Sequence, residues 1–447
     1  MRAGATSRPE ALGWAASYLA LIALASGATA APLIHVSPEE VGFSSARLAR
    51  VDEFYKNAVA TGEIPGAVVL IARSGKVLYE RAVGYADRAT GTPMATDTVF
   101  WIASMTKPVT SVAVMTLVEN GRLNLEDKIE TYIPELKNLT VGVESTDSAS
   151  GKRSLTLIAA ERQPTVQDLL RHTSGFVYGG LGPTLVHKAY VDAHVLDNSI
   201  TSAEVVTRLS KLPLAHQPGS TFEYSLSIDV LGRLIEVISG MPLDRYIEEH
   251  VAQPLGLQSL KFHVDPGRHW AWSAIAASFF FKDVDARTAV RANPTFLSGG
   301  GGMYCAAEDY ARFALMLLNG GEYGGIRILA PKTVALMTHN HLGPAITVPD
   351  YMRSLLLDIA PTSEMGQGFG LGFAVRTDEG RNPLPGSAGD FYWAGAGGTY
   401  FWIDPREHLV VVAMLAVANP ELERKYRQYS RQLIYQAMSR SKYVGAE

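Results

Sequence analysis

The sequence predicts an α/β (α+β) fold: one antiparallel sheet flanked by helices and built from both ends of the chain, with a mostly helical domain inserted between the two parts. Apolar, strand-like runs lie near the start, at 67–72, and near the end, at 399–403 and 409–415. Between them, apolar residues recur mainly at helical spacing. The simplest packing joins the terminal strands in one sheet and leaves the helices as an insertion. The predicted division is a signal segment at 1–30, a sheet domain at 31–115 and 291–447, and a helical domain at 116–290.

The first elements are a helix and a β-hairpin. Residues 44–61 place Leu48 and Val51 at helical spacing, and Ser44 can cap the helix start. Strand 67–72 is followed by a Ser-Gly turn and a return strand. Since strand 67–72 is apolar on both faces, we expect it to lie inside a sheet covered on both sides.

The remaining elements follow from periodicity and from turn residues. A stretch rich in Ser, Thr, Gly and Asp at 141–154 is predicted to be a loop. An Asp-Pro-Arg-Glu turn at 404–407 separates the last two strands. The predicted helices lie at 166–171, 202–212, 227–240, 243–251 and 422–438, and a further strand lies at 370–375.

A Ser-x-x-Lys motif, from Ser104 to Lys107, stands where a helix begins. Proline is tolerated only in the first turn of a helix, so Pro108 and the apolar run behind it place the helix start near Ser104. A spacing of three then puts the Ser104 hydroxyl and the Lys107 amine on one face, and first-turn N–H groups stay free to bind an anion. A hydroxyl, an amine and a free N–H are most of what acyl transfer needs. Because Ser-x-x-Lys alone is a weak signal, the hypothesis requires support from elsewhere in the chain.

Two later segments can supply that support. Tyr224 follows a Pro-Gly turn and precedes a helix, which places it on a loop, where catalytic groups are commonly held. The alternative for Tyr224 is a packed aromatic side chain with a hydrogen-bonded hydroxyl. Residues 393–398 open a strand, and their glycines indicate a backbone that another group approaches closely. A second N–H for an oxyanion would fit there, the alternative being a plain loop before a strand.

Further segments extend the set of motifs: 65–67, 170–175, 224–225 with 229–232, and 298–303, in addition to 104–107 and 393–395. In this order, over nearly the whole chain, they resemble the serine β-lactamase and penicillin-binding-protein superfamily. Within it the chain is similar to the class C β-lactamase-like group, and most of all to the family VIII carboxylesterases. The resemblance implies a β-lactamase-like fold, with Ser104 as nucleophile and Lys107 and Tyr224 as proton carriers. We expect the backbone N–H groups of Ser104 and Ala396 to form the oxyanion hole.

Two departures from that superfamily decide the predicted substrate. Class C lactamases and transpeptidases carry Lys-Thr-Gly on the active-site strand, where this chain has Trp393, Ala394 and Gly395, and they carry Asn where Leu226 stands. The missing lysine would have bound the carboxylate that β-lactams and cell-wall peptides share. The resemblance therefore implies a carboxylesterase that cleaves short-chain acyl esters, with weak β-lactam hydrolysis left open. The expected substrate-binding residues are Trp393, Gly395 and Leu226.

Other functions stay open on the sequence alone. A β-lactamase, a D-amino-acid peptidase or amidase, and an acyltransferase would all use the same nucleophile. A non-enzymatic alternative is a penicillin-binding-like sensor that is acylated without turnover. Trp270, Trp272 and residues 279–281 either line an acyl pocket or belong to the core.

Composition argues against several classes of partner. The chain has 447 residues and a net charge of −4, and no basic run or stripe indicates nucleic acid. The histidines are scattered and no His-Glu-x-x-His occurs, so no metal is implied. No glycine-rich loop has nucleotide-binding form, so no cofactor is expected. The single cysteine, Cys305, is either a nucleophile or, as we favour, a small buried hydrophobic residue. The expected partner is a small-molecule ester, and the oligomeric state is left open.

The N-terminus has the pattern of an export signal. Arg2 and Arg8 precede an apolar stretch at 15–25, and the Ala-Thr-Ala at 28–30 fits a signal-peptidase site. The stretch is short for a membrane span, which makes a membrane anchor the weaker alternative. We therefore expect cleavage after residue 30 and export, to a bacterial periplasm or out of the cell, without stable membrane insertion.

Overall fold

The computed structural model describes residues 31–197, 199–271, 294–417 and 419–442. Its strands are β1 (Ile34–His35), β2 (Gly66–Arg73), β3 (Lys76–Asp87), β4 (Thr92–Pro93), β5 (Phe100–Trp101), β6 (Thr140–Thr146), β7 (Arg153–Ala159), β8 (Tyr304–Cys305), β9 (Glu322–Tyr323), β10 (Ile326–Arg327), β11 (Gln367–Phe369), β12 (Ala374–Arg376), β13 (Phe391–Gly395), β14 (Thr399–Asp404) and β15 (Leu409–Leu415). Its α-helices are α1 (Ser45–Ala60), α2 (Thr106–Glu119), α3 (Val166–Leu170), α4 (Leu185–Asp192), α5 (Ser202–Leu209), α6 (Ser227–Ser239), α7 (Leu243–Ile247), α8 (Gln253–Leu255), α9 (Ala307–Leu318), α10 (Pro331–Met337), α11 (Asp350–Leu356) and α12 (Pro420–Tyr435).

One nine-stranded sheet joins the two ends of the chain. Its order is β1-β3-β2-β15-β14-β13-β12-β11, with β4 beside β3. Every neighbouring pair is antiparallel except β1 with β3. The pairing of β2 with β15 runs from Arg73 opposite Leu409 to Ala67 opposite Leu415. The predicted sheet built from both chain ends is therefore confirmed, and β2 and β15 are buried along their length, as expected for strands covered on both faces.

Helices cover both faces of this sheet. Because side chains alternate along a strand, Tyr400 and Phe401 of β14 point to opposite faces. The Tyr400 hydroxyl lies 3.0 Å from the hydroxyl of Tyr55 in α1 and donates to the carbonyl of Tyr426 in α12. The Phe401 ring packs 5.0 Å from the ring of Tyr310 in α9. Helices α1 and α12 therefore lie on one face and α9 lies on the other.

Helix α2 lies where the sheet meets the helical part of the chain. Its residues from Thr106 to Leu117 are buried, which is typical of a helix enclosed on all sides. It packs against α6 and α7, and the 3-10 turn that precedes it, Ala103–Met105, contacts β13. The N-terminus of α2 is thereby held at the junction of the two parts, within a residue or two of the predicted helix start.

The stretch at 141–154, predicted to be a loop, belongs instead to a β-hairpin of β6 and β7, with Val143 opposite Thr156. The turn-forming residues are concentrated between the strands, where Asp147 accepts hydrogen bonds from Ser150. The flanking Val and Thr residues are β-branched and favour extended backbone. The composition of the whole stretch is dominated by its turn residues, and for this reason it did not indicate the strands on either side.

The strand predicted at 370–375 is mostly the turn between β11 and β12. The Gly370 N–H donates to the Phe373 carbonyl at 2.8 Å, and Gly372 has a φ of 96°. Glycine adopts that left-handed conformation readily, which lets the chain reverse at this point. In the described residues, the helices lack the length and apolar character that a membrane crossing requires. The expected export signal at 1–30 lies outside the described residues.

Candidate active site

Ser104 lies at the centre of the 3-10 turn Ala103–Met105, directly before α2. Its neighbours Ala103 and Met105 are buried, whereas Ser104 itself is partly exposed. Ala103 has a φ of 43°, a left-handed conformation that is uncommon for a residue with a side chain. The turn packs against β13, and Ser104 stays partly exposed in this conformation.

Lys107 is buried beneath Ser104 and makes three contacts through its Nζ. It lies 3.2 Å from the Ser104 Oγ, 3.2 Å from the Tyr178 hydroxyl and 2.6 Å from the Gly300 carbonyl oxygen. A neutral amine has two N–H donors and one lone pair. In that form, donation to Gly300 and Tyr178 would leave the lone pair for the Ser104 hydroxyl, which is the arrangement a general base requires, whereas an ammonium would donate to all three oxygens.

Tyr178 is a site residue that the sequence analysis missed. Its hydroxyl accepts from Lys107 and donates to Asp229 Oδ2 at 3.2 Å, so it links the amine to a buried carboxylate. Burial, followed by the nearby Asp229 charge and Tyr224, raises the pKa of Tyr178 well above its usual value. Tyr178 therefore stays protonated at neutral pH and can donate to Asp229 throughout.

Asp229 also fixes the loop that holds Lys107. Its Oδ1 accepts from the Ser298 hydroxyl at 2.5 Å and from the Gly300 N–H at 3.0 Å. The carbonyl of Gly300 in turn accepts from Lys107. One carboxylate in α6 thus supports both partners of the amine, one through Tyr178 and the other through the backbone at Gly300. Asp229 and Gly300 both belong to segments noted in the sequence, but neither was predicted to have this role.

Tyr224 contacts Lys107 through its aromatic ring. The Lys107 Nζ lies 4.5 Å from the centre of that ring, a geometry that favours a cation. The Tyr224 hydroxyl accepts from the Trp393 Nε1 at 3.3 Å. Within the described part of the chain, the tyrosine hydroxyl that contacts Lys107 is that of Tyr178, whereas the sequence had pointed to Tyr224 as the proton carrier.

The side chains of Trp393 and Leu226, two of the residues expected to bind substrate, are buried, and their role in binding stays a prediction. Trp393 is 2% exposed and packs against Tyr224 and Phe369, with ring centroids 5.4 and 5.3 Å apart. Leu226 is fully buried at the start of α6. The Trp393 indole thereby supports Tyr224, and Leu226 packs in the hydrophobic core.

Gly395 lets the end of β13 approach the Ser104 turn. A Cβ at this position would lie 2.2 Å from the Ile102 carbonyl oxygen, far inside any real contact. Ala396 follows directly and is exposed. Beyond it, the Gly397 N–H donates to Glu423 of α12 at 3.1 Å, which anchors the turn. The backbone of Ala396 thus comes beside the Ser104 turn, and its part in an oxyanion hole stays a prediction, as do the catalytic roles of Ser104, Lys107 and Tyr224.

His172 supports Tyr224 from the other side. Its ring lies 4.9 Å from the Tyr224 ring, and its Nδ1 lies 3.2 Å from the Ser225 Oγ. Burial, followed by the nearby Lys107 charge, lowers the pKa of His172 well below its usual value. The imidazole is therefore neutral at ordinary pH, and the His172 backbone has a φ of 56°, a left-handed conformation that is uncommon for a residue with a side chain.

The remaining candidates from the sequence are Cys305 and the aromatic residues between 270 and 281. Cys305 is buried, and burial raises the pKa of its thiol well above the usual value, which suits a small hydrophobic residue. Trp270 packs in a small cluster with Trp101 and Ala103. Trp272 and residues 279–281 lie outside the described residues. The described ranges contain no group of three metal-ligating side chains.

A family model named Beta-lactamase matches residues 51–436. The chain belongs to this family. The resemblance to the serine β-lactamase and penicillin-binding-protein superfamily is thus confirmed, and so is the β-lactamase-like fold. The family's members are serine hydrolases, and this chain is a member of that superfamily.

Known relatives cover most of the chain. Protein Rv1367c of Mycobacterium tuberculosis is 36% identical over 79% of this chain and 86% of its own length. Esterase EstB of Burkholderia gladioli is 31% identical over 86% of this chain and 94% of its own length. The solved structure of EstCE1, described as a hydrolase with promiscuous acyltransferase activity, superposes with a TM-score of 0.70 at 29% identity and covers 87% of this chain and 98% of that one. Two of these three similar proteins are thus described as an esterase or a hydrolase.

Proposed function

We propose that this protein is a carboxylesterase that cleaves short-chain acyl esters through an acyl-enzyme on Ser104. The observation that carries the proposal is the state of Trp393 on β13, the strand beside Ser104. Its indole is buried and donates a hydrogen bond to the Tyr224 hydroxyl, and β13 contains neither Lys nor Arg. A substrate carboxylate would therefore find no cation on this strand, which favours neutral esters over β-lactams and cell-wall peptides. The esterase-named relatives point in the same direction.

In acylation, the Ser104 Oγ attacks the ester carbonyl carbon while the neutral Lys107 amine takes its proton. The new C–O bond leaves a tetrahedral oxyanion, which the N–H groups of Ser104 and Ala396 would bind. Collapse breaks the bond to the alkoxy group, which leaves as the alcohol after it receives a proton. The acyl group stays on Ser104.

The tyrosines divide the handling of the proton. Once Lys107 is an ammonium, it is stabilised by the Gly300 carbonyl, by the Tyr224 ring and, through Tyr178, by the Asp229 carboxylate. The Tyr224 hydroxyl, held by Trp393, gives its own proton to the leaving alkoxide, and the Lys107 ammonium then returns a proton to the Tyr224 oxygen, so that Tyr224 and Lys107 regain their starting forms. In deacylation Lys107 takes a proton from a water that attacks the acyl carbon. Collapse of this intermediate breaks the bond between the acyl carbon and the Ser104 Oγ, which takes the proton from Lys107 as the acid leaves.

A comparison of kcat/KM on p-nitrophenyl butyrate and on nitrocefin tests the substrate class. We expect the ester to be preferred by roughly 10- to 150-fold, as the loss of one charged contact to a substrate costs roughly 1.5–3 kcal/mol. A ratio that favours nitrocefin would replace the esterase proposal with a β-lactamase. Hydrolysis of D-alanyl peptides faster than esters would indicate a D-amino-acid peptidase. A stable adduct without turnover on any substrate would indicate the sensor.

We also propose that the protein is exported after removal of residues 1–30. The charge and apolar pattern of this segment supports the proposal. N-terminal sequencing of the mature protein should begin at Ala31. An intact Met1 in the secreted or periplasmic fraction would contradict the cleavage.

A further inference from the structure

A buried carboxyl group directly precedes Tyr224 in the chain. The Glu223 side chain is fully buried, and no step of the proposed reaction uses it. Its Oε1 lies 3.3 Å from the His187 Nε2, and its Oε2 lies 3.2 Å from the His216 Nε2 and also contacts the Tyr351 hydroxyl. Side chains from three separate parts of the chain therefore meet at this one carboxyl group.

The ionisation of Glu223 sets the direction of these contacts. Burial alone would raise the pKa of Glu223, but the hydrogen bonds from His187 and His216 outweigh it, together with that from Tyr351, and hold the pKa below its usual value. Glu223 is therefore a carboxylate at neutral pH, and a carboxylate can only accept. Both imidazole Nε2 atoms and the Tyr351 hydroxyl donate to it. A carboxylate that accepts three hydrogen bonds meets the condition for keeping a charge in the protein interior.

The donor from α4 is held in place on several sides. The Thr184 hydroxyl accepts from the His187 backbone N–H at 3.2 Å, and it lies 2.7 Å from the His187 Nδ1. It can therefore donate to Nδ1, which leaves the Nε2 hydrogen of His187 for Glu223. A Cβ at Gly182 would lie 2.0 Å from that Nε2, so the backbone at 182 lies against the ring. The His187 imidazole is thus held at both nitrogens and by the backbone beside it.

The backbone at Glu223 continues directly into the site. Its N–H donates to the His172 carbonyl at 2.8 Å. The next residue, Tyr224, places its ring centre 4.5 Å from the Lys107 Nζ, and its hydroxyl accepts from the Trp393 Nε1 at 3.3 Å. Because Glu223 and Tyr224 share a peptide bond, a displacement of one backbone is passed to the other.

We propose that Glu223 is a positioning residue for Tyr224. Its carboxylate fixes the backbone at 223 against α4 and α11. It thereby sets where the Tyr224 ring meets Lys107 and where the Tyr224 hydroxyl can reach a leaving group. The effect on catalysis rests on the proposed ester hydrolysis, whereas the effect on the position of Tyr224 does not.

Glu223→Gln tests the role because it keeps the shape of the side chain and removes half of its acceptors. An amide has one oxygen, so its NH2 group would face either the N–H of His187 or the N–H of His216. Two donors cannot form a hydrogen bond with each other, and a buried donor without an acceptor is unfavourable. The side chain and its backbone should therefore shift, and Tyr224 should move with them.

Steady-state hydrolysis of p-nitrophenyl butyrate measures the effect on catalysis. We expect Glu223→Gln to lower kcat roughly 10- to 100-fold, the size expected for a displacement of about an ångström, with KM changed less than about threefold. In a Tyr224→Phe background the same change should lower kcat less than about threefold, because residues that act through one group are not additive. A Glu223→Gln protein with kcat within about twofold of the parent, or losses that multiply in the double variant, would overturn the proposal.

Glu407→Gln is the matched control. Like Glu223, Glu407 is a buried glutamate with a charge-assisted partner, since Arg73 donates to it at 2.5 Å. It follows the end of β14, whereas the start of that strand, at Thr399, lies beside the Ser104 turn. Glu407→Gln should lower Tm and leave kcat unchanged. Equal losses of kcat in the two variants would attribute the effect to stability and overturn the positioning role.

A spectroscopic measurement separates this proposal from the proposed reaction. Because the Trp393 indole N–H donates to the Tyr224 hydroxyl, its proton resonance reports the position of that hydroxyl. In ¹⁵N-labelled protein, with the resonance assigned through Trp393→Phe, Glu223→Gln should shift it upfield as the hydrogen bond lengthens, and Glu407→Gln should not. An unmoved resonance in Glu223→Gln would overturn the positioning role even in an active esterase. A shifted resonance in a protein whose parent hydrolyses no ester would support the positioning role and contradict the proposed function alone.

Discussion

Substitution of Tyr178 by Phe tests the most specific feature of the site. The change removes the hydroxyl that lies 3.2 Å from both the Lys107 Nζ and the Asp229 Oδ2, and it leaves the ring in place. Asp229 keeps its hydrogen bonds from Ser298 and Gly300, so the fold of the loop should survive. Lys107 loses its link to the only carboxylate in this chain of contacts.

The expected loss follows from the kind of hydrogen bond removed. A hydrogen bond to a charged group contributes about 1.5–3 kcal/mol. At about 1.36 kcal/mol for each factor of ten in rate, kcat should fall roughly 10- to 150-fold. Tyr178 acts through Lys107, the proposed base, so the loss should appear in kcat, with KM changed less than about threefold.

The assay is steady-state hydrolysis of p-nitrophenyl butyrate by both proteins, with urea unfolding as a check on stability. Tyr190→Phe is the matched control, because within the described residues its buried hydroxyl has no partner. It should leave kcat unchanged. A Tyr178→Phe protein with kcat within about twofold of the parent would refute the Lys107–Tyr178–Asp229 link, and an equal loss in Tyr190→Phe would attribute the effect to packing.

Three further substitutions address the remaining contacts. Gly395→Ala should lower kcat by about 100-fold or more, because the added Cβ would displace the Ser104 turn by an ångström or so. Gly343→Ala is the control, since a Cβ there meets open space, and it should leave kcat unchanged. Equal kcat values for the two variants would refute the close approach of Gly395 to the Ser104 turn. Tyr224→Phe should lower turnover at least ~100-fold if its hydroxyl protonates the alcohol, and a mild loss would reduce Tyr224 to a positioning role. Burial alone would raise the pKa of Asp168, but the hydrogen bond from Arg162 and others outweigh it and hold the pKa below its usual value. Asp168→Asn should therefore lower the free energy of unfolding by about 3–5 kcal/mol at pH 7. This loss relative to the parent should shrink as the pH falls through the folded-state pKa of Asp168. A loss that does not change with pH in urea titrations would contradict this.

The parts of the site that could be predicted are those set by local spacing. The position of Pro108 and the interval of three between Ser104 and Lys107 determine a helix start and a shared face, and the structure shows both. The sheet was predictable because its central strands, β2 and β15, are continuous apolar runs that only a covered sheet can bury.

What could not be predicted depends on contacts across long separations. Tyr178 lies 71 residues from Lys107, and Asp229 lies 51 residues beyond Tyr178. Separations of this length exceed any single helix or strand, so the sequence pattern does not show that Lys107, Tyr178 and Asp229 meet in the folded chain. The orientation of Trp393 was equally hidden, because the same residue could have faced the cleft or, as it does, the Tyr224 hydroxyl.

The central claim is that Ser104 is acylated by an ester with Lys107 as its base. Intact-mass and peptide mass spectrometry of the protein, quenched during turnover of p-nitrophenyl butyrate, tests it most directly. We expect one butyryl group on the peptide that contains Ser104, and none in Ser104→Ala or Lys107→Ala. An acyl group on any other residue, or full esterase activity in Ser104→Ala, would contradict the mechanism.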